Sequence, residues 1–367
     1  MSRVVLRALA LACVAACDAP TDPERPVTPD RAALTAVAQQ FTVRSLGTLG
    51  GSFSGANAIN ELGQVAGFSQ LPSGETHAIL WRPGQGMRSL GTLGGAHSRA
   101  RGINDRGDVV GHSEVRPGSD VNRAFLWTEA GGMRGLGSLG GKNSFGSFIN
   151  NRREVAGASE TTNGNFRAFL WRAGQGMQSL GTLGGRNSQP WDLNDATQVV
   201  GGAETADGEE HAFLWTAARG MEDLGTLGGS WSRAGGISQT GVVVGASETA
   251  EGTLEVFLWT RSGGMRSLGS PGGNPEFLVA NGVNTHRRVV GVTFPEGPVE
   301  DLPFLWTPGG GIQQLPTLGG PNGAVWDINE YGLIVGTTWT AGNRIRATLW
   351  TPVDGPLAVA PSDEGGD

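Results

Sequence analysis

Leu180-Gly181-Thr182-Leu183-Gly184-Gly185 opens a stretch that runs on through Ser188-Gln189-Pro190-Trp191-Asp192-Leu193-Asn194, Gln198-Val199-Val200-Gly201 and His211-Ala212-Phe213-Leu214-Trp215 to Gly220-Met221. At Leu224 the hexapeptide begins again. The same string starts at Leu46 and Leu90, and variants of it start at Leu136, Leu268 and Leu315. By subtraction, successive starts lie 44, 46, 44, 44, 44 and 47 residues apart. A period in this range belongs to propellers and related arrays. Each unit reads as four short strands. The first two are joined by Asn-x-x-Gly, as from Asn60 to Gly63, Asn104 to Gly107 and Asn329 to Gly332. Asn suits the opening position of a tight turn and Gly its last, left-handed one. The third strand is apolar at consecutive positions, as at Phe125-Leu126-Trp127, so both of its faces need cover. A strand inside a blade, with another blade on each side, meets that need. The expected fold is therefore all-β, a seven-bladed β-propeller of four-stranded blades with about 44 residues each, over residues 41–360.

Phe41-Thr42-Val43-Arg44-Ser45-Leu46 matches the fourth strand at Met87-Arg88-Ser89-Leu90 and continues identically as Arg-Ser-Leu-Gly-Thr-Leu-Gly-Gly. This reading places 41–46 in the last blade, closing the ring. Gly355 to Ala360 aligns with the same strand, so 29 candidate strands compete for 28 places. A stacked solenoid tolerates a fixed repeat too, but it needs distinct capping units, and the first and last units here look ordinary. The seven tryptophans that recur at the end of the third strand, from Trp81 to Trp350, read as core because the repeat explains them.

Composition agrees with a turn-rich chain: 62 of 367 residues are Gly and 19 are Pro. Glycine is not at every third position, which excludes collagen, and recurring apolar runs exclude wholesale disorder. Basic residues number 27 against 34 acidic ones, and no basic stripe of the kind that neutralises phosphates occurs, so nucleic acid is not an expected partner. At the N-terminus, Arg3 and Arg7 precede a short apolar stretch from Ala8 to Ala16, the layout of a secretory signal over 1–16. Val14-Ala15-Ala16-Cys17 resembles the lipobox of bacterial lipoproteins, which implies acylation at Cys17 and attachment to a membrane through that lipid alone. Residues 17–40, with Pro20, Pro23, Pro26 and Pro29, read as a tether, and 361–367 as an acidic tail. Cleavage before Cys17 leaves one cysteine, so disulfides are not expected.

Leu-Gly-Thr-Leu-Gly-Gly, Ala-x-x-Ile-Asn-x-x-Gly-x-Val-Val-Gly and His-Ala-Phe-Leu-Trp together resemble the bacterial extracellular repeat family named HAF, after its His-Ala-Phe signature. The match spans 41–360. The signature histidine is present at His77 and His211, whereas Arg123, Arg167, Glu255, Leu302 and Arg346 stand in the other copies. A residue that exchanges so freely does not serve a shared catalytic or metal role. The resemblance implies a secreted repeat protein without a defined activity, and the order of strands and Gly-Gly doublets is distantly similar to kelch propellers.

Chemistry is sparse. His77, His97, His112, His211 and His286 lack the spacing of a metal site, and no cofactor is expected. The one tyrosine, Tyr331, falls inside the Asn329 to Gly332 turn, which does not suit a tyrosine nucleophile or a tyrosine-copper centre. The positions that differ between copies carry the functional expectation. Before the final apolar residue of the first strand, two blades carry Trp-Asp pairs, Trp191-Asp192 and Trp326-Asp327. Rings cover apolar sugar faces and carboxylates accept hydroxyl hydrogen bonds, so these residues are candidate glycan contacts at the channel mouth. Arg101 and Arg233, with Arg99 nearby, are candidates to meet an acidic group. Asp192 and Asp327 serve as an acid/base pair only if they lie roughly 5 to 9.5 Å apart across a sugar, and blades four and seven are remote in a ring. Repeated shape without repeated chemistry points to a monomeric, noncatalytic binding or scaffold module of the cell envelope, with a glycan or envelope protein as partner. The alternatives are a carbohydrate-active hydrolase or lyase, and a purely structural envelope protein.

Overall fold

The computed structural model describes residues 39–270, 277–294 and 301–353. The signal segment 1–16, Cys17, the tether up to residue 38, the competing strand 355–360 and the tail 361–367 lie outside the described residues.

The inner strand of each blade is followed in order by its second, third and outer strands, every neighbouring pair antiparallel, in seven separate four-stranded sheets. Blade 1 spans Ser54–Ser89, blade 2 Ser98–Gly135, blade 3 Gly140–Ser179, blade 4 Gly184–Asp223, blade 5 Gly228–Gly269 and blade 6 Phe277–Gln314. Blade 7 takes three strands from Gly319–Pro352 and its outer strand from Phe41–Ser45, which pairs in register with Ile345–Pro352 from Phe41↔Pro352 to Ser45↔Thr348. The seven-bladed propeller is therefore closed by its N-terminal strand.

Each inner strand carries a β-bulge at one residue: Asn57, Arg101, Ser147, Trp191, Gly235, Asn281 and Trp326 are the extra residues of their blades. The kink explains the glycine of Val-Val-Gly on the second strand. A Cβ on Gly201 would stand 2.0 Å from the Gln189 carbonyl oxygen and 2.8 Å from the Phe213 ring. The same clash recurs around the ring, at 2.0 Å for Gly67 and 1.9 Å for Gly111. So the Phe of the His-Ala-Phe segment packs where that side chain is missing, and Phe125, Phe169, Phe213 and Phe257 are fully buried.

Polar side chains fasten one blade to the next. Ser188 Oγ donates to the Gly181 carbonyl at 2.5 Å and accepts from the Ala168 amide of blade 3 at 3.0 Å, and Ser54, Ser98, Ser144 and Ser232 repeat the arrangement. At the other end of the inner strand, the Asn that opens the turn in six of the seven blades accepts amides of its own turn and donates to the next blade. Asn60 reaches the Asn104 carbonyl, Asn104 that of Asn150, and Asn150 that of Asn194. Asn329 reaches the Asn60 carbonyl at 3.1 Å, carrying the belt across the closing seam. Between the blades lie separate apolar clusters, one per seam, into which the recurrent tryptophans pack. On the rim, outer-strand arginines lie over the tryptophan of the next blade: Arg44 over Trp81 at 5.1 Å, Arg88 over Trp127 at 5.4 Å and Arg134 over Trp171 at 5.5 Å.

Candidate functional site

The turns between first and second strands gather around one end of the central channel and enclose a cavity of about 160 Å3. Six carboxylates line it, Glu61, Asp105, Asp192, Asp195, Asp327 and Glu330, together with amide and hydroxyl side chains; among the described residues its lining includes no Lys, Arg or His.

Two sets of residues build this mouth. The first is the residue after the turn Asn. The amide of Glu61 donates to Asp105 at 2.9 Å, that of Asp105 to Asn151 at 2.9 Å, and that of Asn151 to Asp195 at 2.7 Å. The Asp195 amide donates to Gln239 at 3.0 Å, and the Glu330 amide to Glu61 at 3.1 Å across the closing seam. Each side chain thus leans over the turn of the preceding blade and presents its remaining oxygen lone pairs to the cavity. Asn151 Nδ2 bridges two of these carboxylates, to Asp105 at 2.8 Å and Asp195 at 3.0 Å.

The second set is the residue after the bulge in blades 4 and 7. Asp192 accepts from its neighbour Leu193 at 2.7 Å and from Ile237 of blade 5 at 2.8 Å. Asp327 accepts from Ile328 at 2.8 Å and from Ile59 of blade 1 at 2.9 Å. Both are therefore braces between blades, each carboxylate holding two backbone amides that a smaller residue would leave to water.

Burial in a cavity with no positive side chain among its described lining residues disfavours ionisation. Burial pushes Asp192 up to about 7; the Ile237 and Leu193 amides oppose this, and the charge of Asp327 adds to it. Asp327 rises to about 6, again by burial and against the amides of Ile59 and Ile328. Burial also lifts Glu61 to about 7, opposed by the Glu330 amide and reinforced by the charges of Glu330, Asp105 and Asp327.

Asp192 and Asp327 come from opposite sides of the ring, yet they face one cavity and act on each other electrostatically. Trp191, Trp326, Arg101 and Arg233 do not line it. Trp191 and Trp326 are the bulge residues of blades 4 and 7. Trp191 belongs to a second constellation, with the Arg233 guanidinium 5.4 Å from its ring and 5.4 Å from that of Trp231. Arg233 is held by Glu210 in a two-pronged pair at 2.6 and 2.8 Å. Gly202 makes that pair possible, because a Cβ there would stand 2.1 Å from Glu210 Oε1. The charge of Arg233 is thus answered within the fold.

The turn carboxylates were visible in the sequence but not singled out by it. The residue after the first turn position, Asn in six blades and Ser238 in blade 5, reads Glu61, Asp105, Asn151, Asp195, Gln239, Thr285 and Glu330, every one with a side-chain oxygen. Uniform acceptor chemistry at one register of a repeat was the available signal. Among the described residues, no group of three or more His, Cys, Asp or Glu is arranged to hold a metal ion. The carboxylates encircle the mouth instead of converging on a point.

No protein-family model matches the chain, and no curated protein matches it. Solved structures do. The chain is similar to the β-propeller domain of the Trilobed protease from Pyrococcus furiosus, with a TM-score of 0.55, 12% identity, and coverage of 81% of this chain and 95% of that one. It is similar to the acylaminoacyl peptidase of Pyrococcus horikoshii, with a TM-score of 0.52 and 11% identity over 81% of this chain and 51% of that one. A puromycin hydrolase gives a TM-score of 0.50 and 14% identity over 84% of this chain and 54% of that one. The chain thus spans about half the length of the peptidase and of the hydrolase. At these identities the likeness establishes the propeller fold alone.

Proposed function

We propose that this protein is an exported, noncatalytic binding module of the bacterial envelope, tethered by lipid at Cys17, which receives an amine-bearing sugar of an envelope glycan at the channel mouth. The carrying observation is a cavity lined by six carboxylates and, among the described residues, by no basic side chain. Such a lining accepts hydrogen bonds and attracts positive charge, and an amino sugar offers hydroxyl donors and an ammonium together. About 160 Å3 is less than the ~300–1,000 Å3 of sites that enclose drug-sized ligands, so one ring or one substituent enters and the remainder of the glycan stays outside. Export and lipidation rest on the Arg3 to Cys17 segment, and a secreted repeat protein fits the resemblance to the HAF family. A noncatalytic role is favoured because Asp192 and Asp327 each already hold two backbone amides.

The test is a panel of immobilised glycans that contains amino-sugar oligomers and their N-acetylated counterparts, probed with the wild-type protein and with a double variant, Asp195→Asn and Glu330→Gln. The reading predicts retention on the amino form, loss on the acetylated form, and weakening by the double variant with an unchanged melting temperature. Equal binding to both forms, or binding indifferent to the two substitutions, rejects it.

A further inference from the structure

The mouth admits one sugar ring or one substituent, so the rest of a glycan meets the residues just outside it. These stand at the third position of each turn between first and second strands. The turn fixes their place alike in successive blades, because the amides of Leu62, Arg106, Arg152 and Ala196 each donate to Oδ1 of the opening Asn at 3.1 Å. What they carry differs. Tyr331, Leu62, Arg106 and Arg152 follow one another over blades 7, 1, 2 and 3, whereas blades 4, 5 and 6 hold Ala196, Thr240 and His286. One arc of the rim is therefore apolar and then cationic. Its Leu62 is 62% exposed, and Arg106 and Arg152 are exposed as well.

Both arginines lean over the next blade. Arg106 Nε donates at 3.1 Å to the carbonyl of Asn151, a residue of the cavity lining, and Arg152 Nη1 reaches the Thr197 hydroxyl at 3.4 Å. Their neighbour Arg153 shows how an arginine fastens two blades: its Nε and Nη2 close on the two oxygens of Asp108 at 2.6 and 3.2 Å. Arg106 and Arg152 instead spend one nitrogen each on a neutral oxygen, and among the described residues neither forms an ion pair.

The mouth thus accepts inside and donates along one lip. A purely cationic ligand is attracted by the first and repelled by the second. A ligand with a carboxylate beside its ammonium satisfies both. We propose that Arg106 and Arg152 select the neighbour of the sugar held in the mouth, and that the ligand is a glycan in which an amine-bearing sugar is linked to an acidic one. This selection presupposes that the mouth takes the amine, as proposed above. The acidic unit lies over blades 2 and 3, where each planar guanidinium offers a fork of N–H groups that matches a carboxylate. Tyr331 and Leu62, on the other half of the arc, cover the apolar face of a sugar that continues the chain in the opposite direction. Six carboxylates within the mouth repel an acidic unit, so the two arginines decide whether that unit helps or hinders binding.

The experiment is equilibrium binding of three oligomers of equal length to the full chain at low salt: glucosamine alone, glucosamine alternating with glucuronic acid, and the alternating oligomer with its carboxyls reduced to alcohols. The wild-type protein should bind the alternating oligomer roughly three- to twentyfold more tightly than its reduced form, the range for two exposed charge pairs. High salt should shrink that ratio, since exposed charges are screened, and this arm needs no variant. In a double variant, Arg106→Gln and Arg152→Gln, with a melting curve as the folding check, the preference should vanish or invert. Affinity of the same variant for the glucosamine oligomer should hold or rise, because two repelling charges are gone; a merely structural loss would lower it. Equal binding of the alternating and reduced oligomers by wild type, a ratio that high salt leaves unchanged, or a folded double variant that keeps the preference overturns the proposal. If the glucosamine oligomer still binds in those cases, the amine-accepting mouth stands without its acidic neighbour. Binding of none of the three oligomers overturns both.

Discussion

Replacing Asn329 by Ala should open the seam at which the chain closes on itself. Asn329 is 3% exposed; its Oδ1 accepts the Leu333 amide at 3.0 Å and its Nδ2 donates to the Asn60 carbonyl of blade 1 at 3.1 Å. Alanine leaves the Leu333 amide unmet and removes the bond between blades, while the Asn60 carbonyl keeps the Gly63 amide at 3.0 Å. At about 1–3 kcal/mol for the abandoned amide and about 1 kcal/mol for the lost hydrogen bond between blades, the loss is about 2–4 kcal/mol. For a chain of this size a loss of 1 kcal/mol lowers the melting temperature by roughly 2 °C, so the expected drop is roughly 4–8 °C. Serine provides a graded control that the protein itself contains. In blade 5 the equivalent residue is Ser238, whose Oγ accepts the Val242 amide at 3.0 Å and so satisfies its own turn. Asn329→Ser therefore loses only the bond between blades and should cost about 1 kcal/mol, half the alanine loss or less. Scanning calorimetry gives the stabilities, and hydrogen exchange at Leu333 and at the first turn of blade 1 locates the opening. An alanine variant that melts within about 1 °C of wild type would refute the idea that the Asn belt fastens the ring.

Gly201→Ala should cost about 1–3 kcal/mol or more by overpacking, because the new Cβ meets the Gln189 carbonyl at 2.0 Å; a wild-type urea midpoint contradicts this. Arg88→Ala removes a guanidinium 5.4 Å from the Trp127 ring on the exposed rim, and a loss of about 0.5–1 kcal/mol is expected in the same denaturation assay. Glu61, Asp192 and Asp327 have folded pKa values of about 7, 7 and 6, above their values in the unfolded chain. Between those unfolded values and pH 7 the native state binds more protons at these sites, so their contribution to stability falls as pH rises through that window. The melting temperature should therefore decrease from pH 5.5 to 8, with a shallower decline in Asp192→Asn; an increase in the wild type, or an unaltered slope in the variant, counts against the buried-carboxylate reading.

The repeat made the architecture legible because each copy spells the same local solution. Asn-x-x-Gly marks the inner hairpin, Phe-Leu-Trp marks a strand covered on both faces, and Arg-Ser-Leu before the first Leu-Gly-Thr-Leu-Gly-Gly marks the strand that now pairs with Ile345–Pro352. The site was harder to read. Asp192 and Asp327 lie more than a hundred residues apart, and only the convergence of inner strands on one axis brings them into one cavity. Trp191 and Asp192 are adjacent in sequence, yet the bulge at Trp191 sends the ring toward Arg233 while the carboxylate faces the mouth. Likewise Arg233 looked available for an acidic ligand, but its partner Glu210 sits in the previous blade and approaches over Gly202. Such pairings depend on which residue faces which seam, and a strand pattern alone does not specify that.

The most direct test of a cation-accepting mouth is proton release on binding. Isothermal titration calorimetry of an amino-sugar oligomer at pH 6.5, in two buffers of different ionisation heat, counts the protons exchanged. A bound ammonium lowers the raised pKa values of Glu61, Asp192 and Asp327, so net proton release is predicted, with less release from an Asp192→Asn, Asp327→Asn protein. Binding with no proton exchange, or with the same exchange in that double variant, would contradict the account.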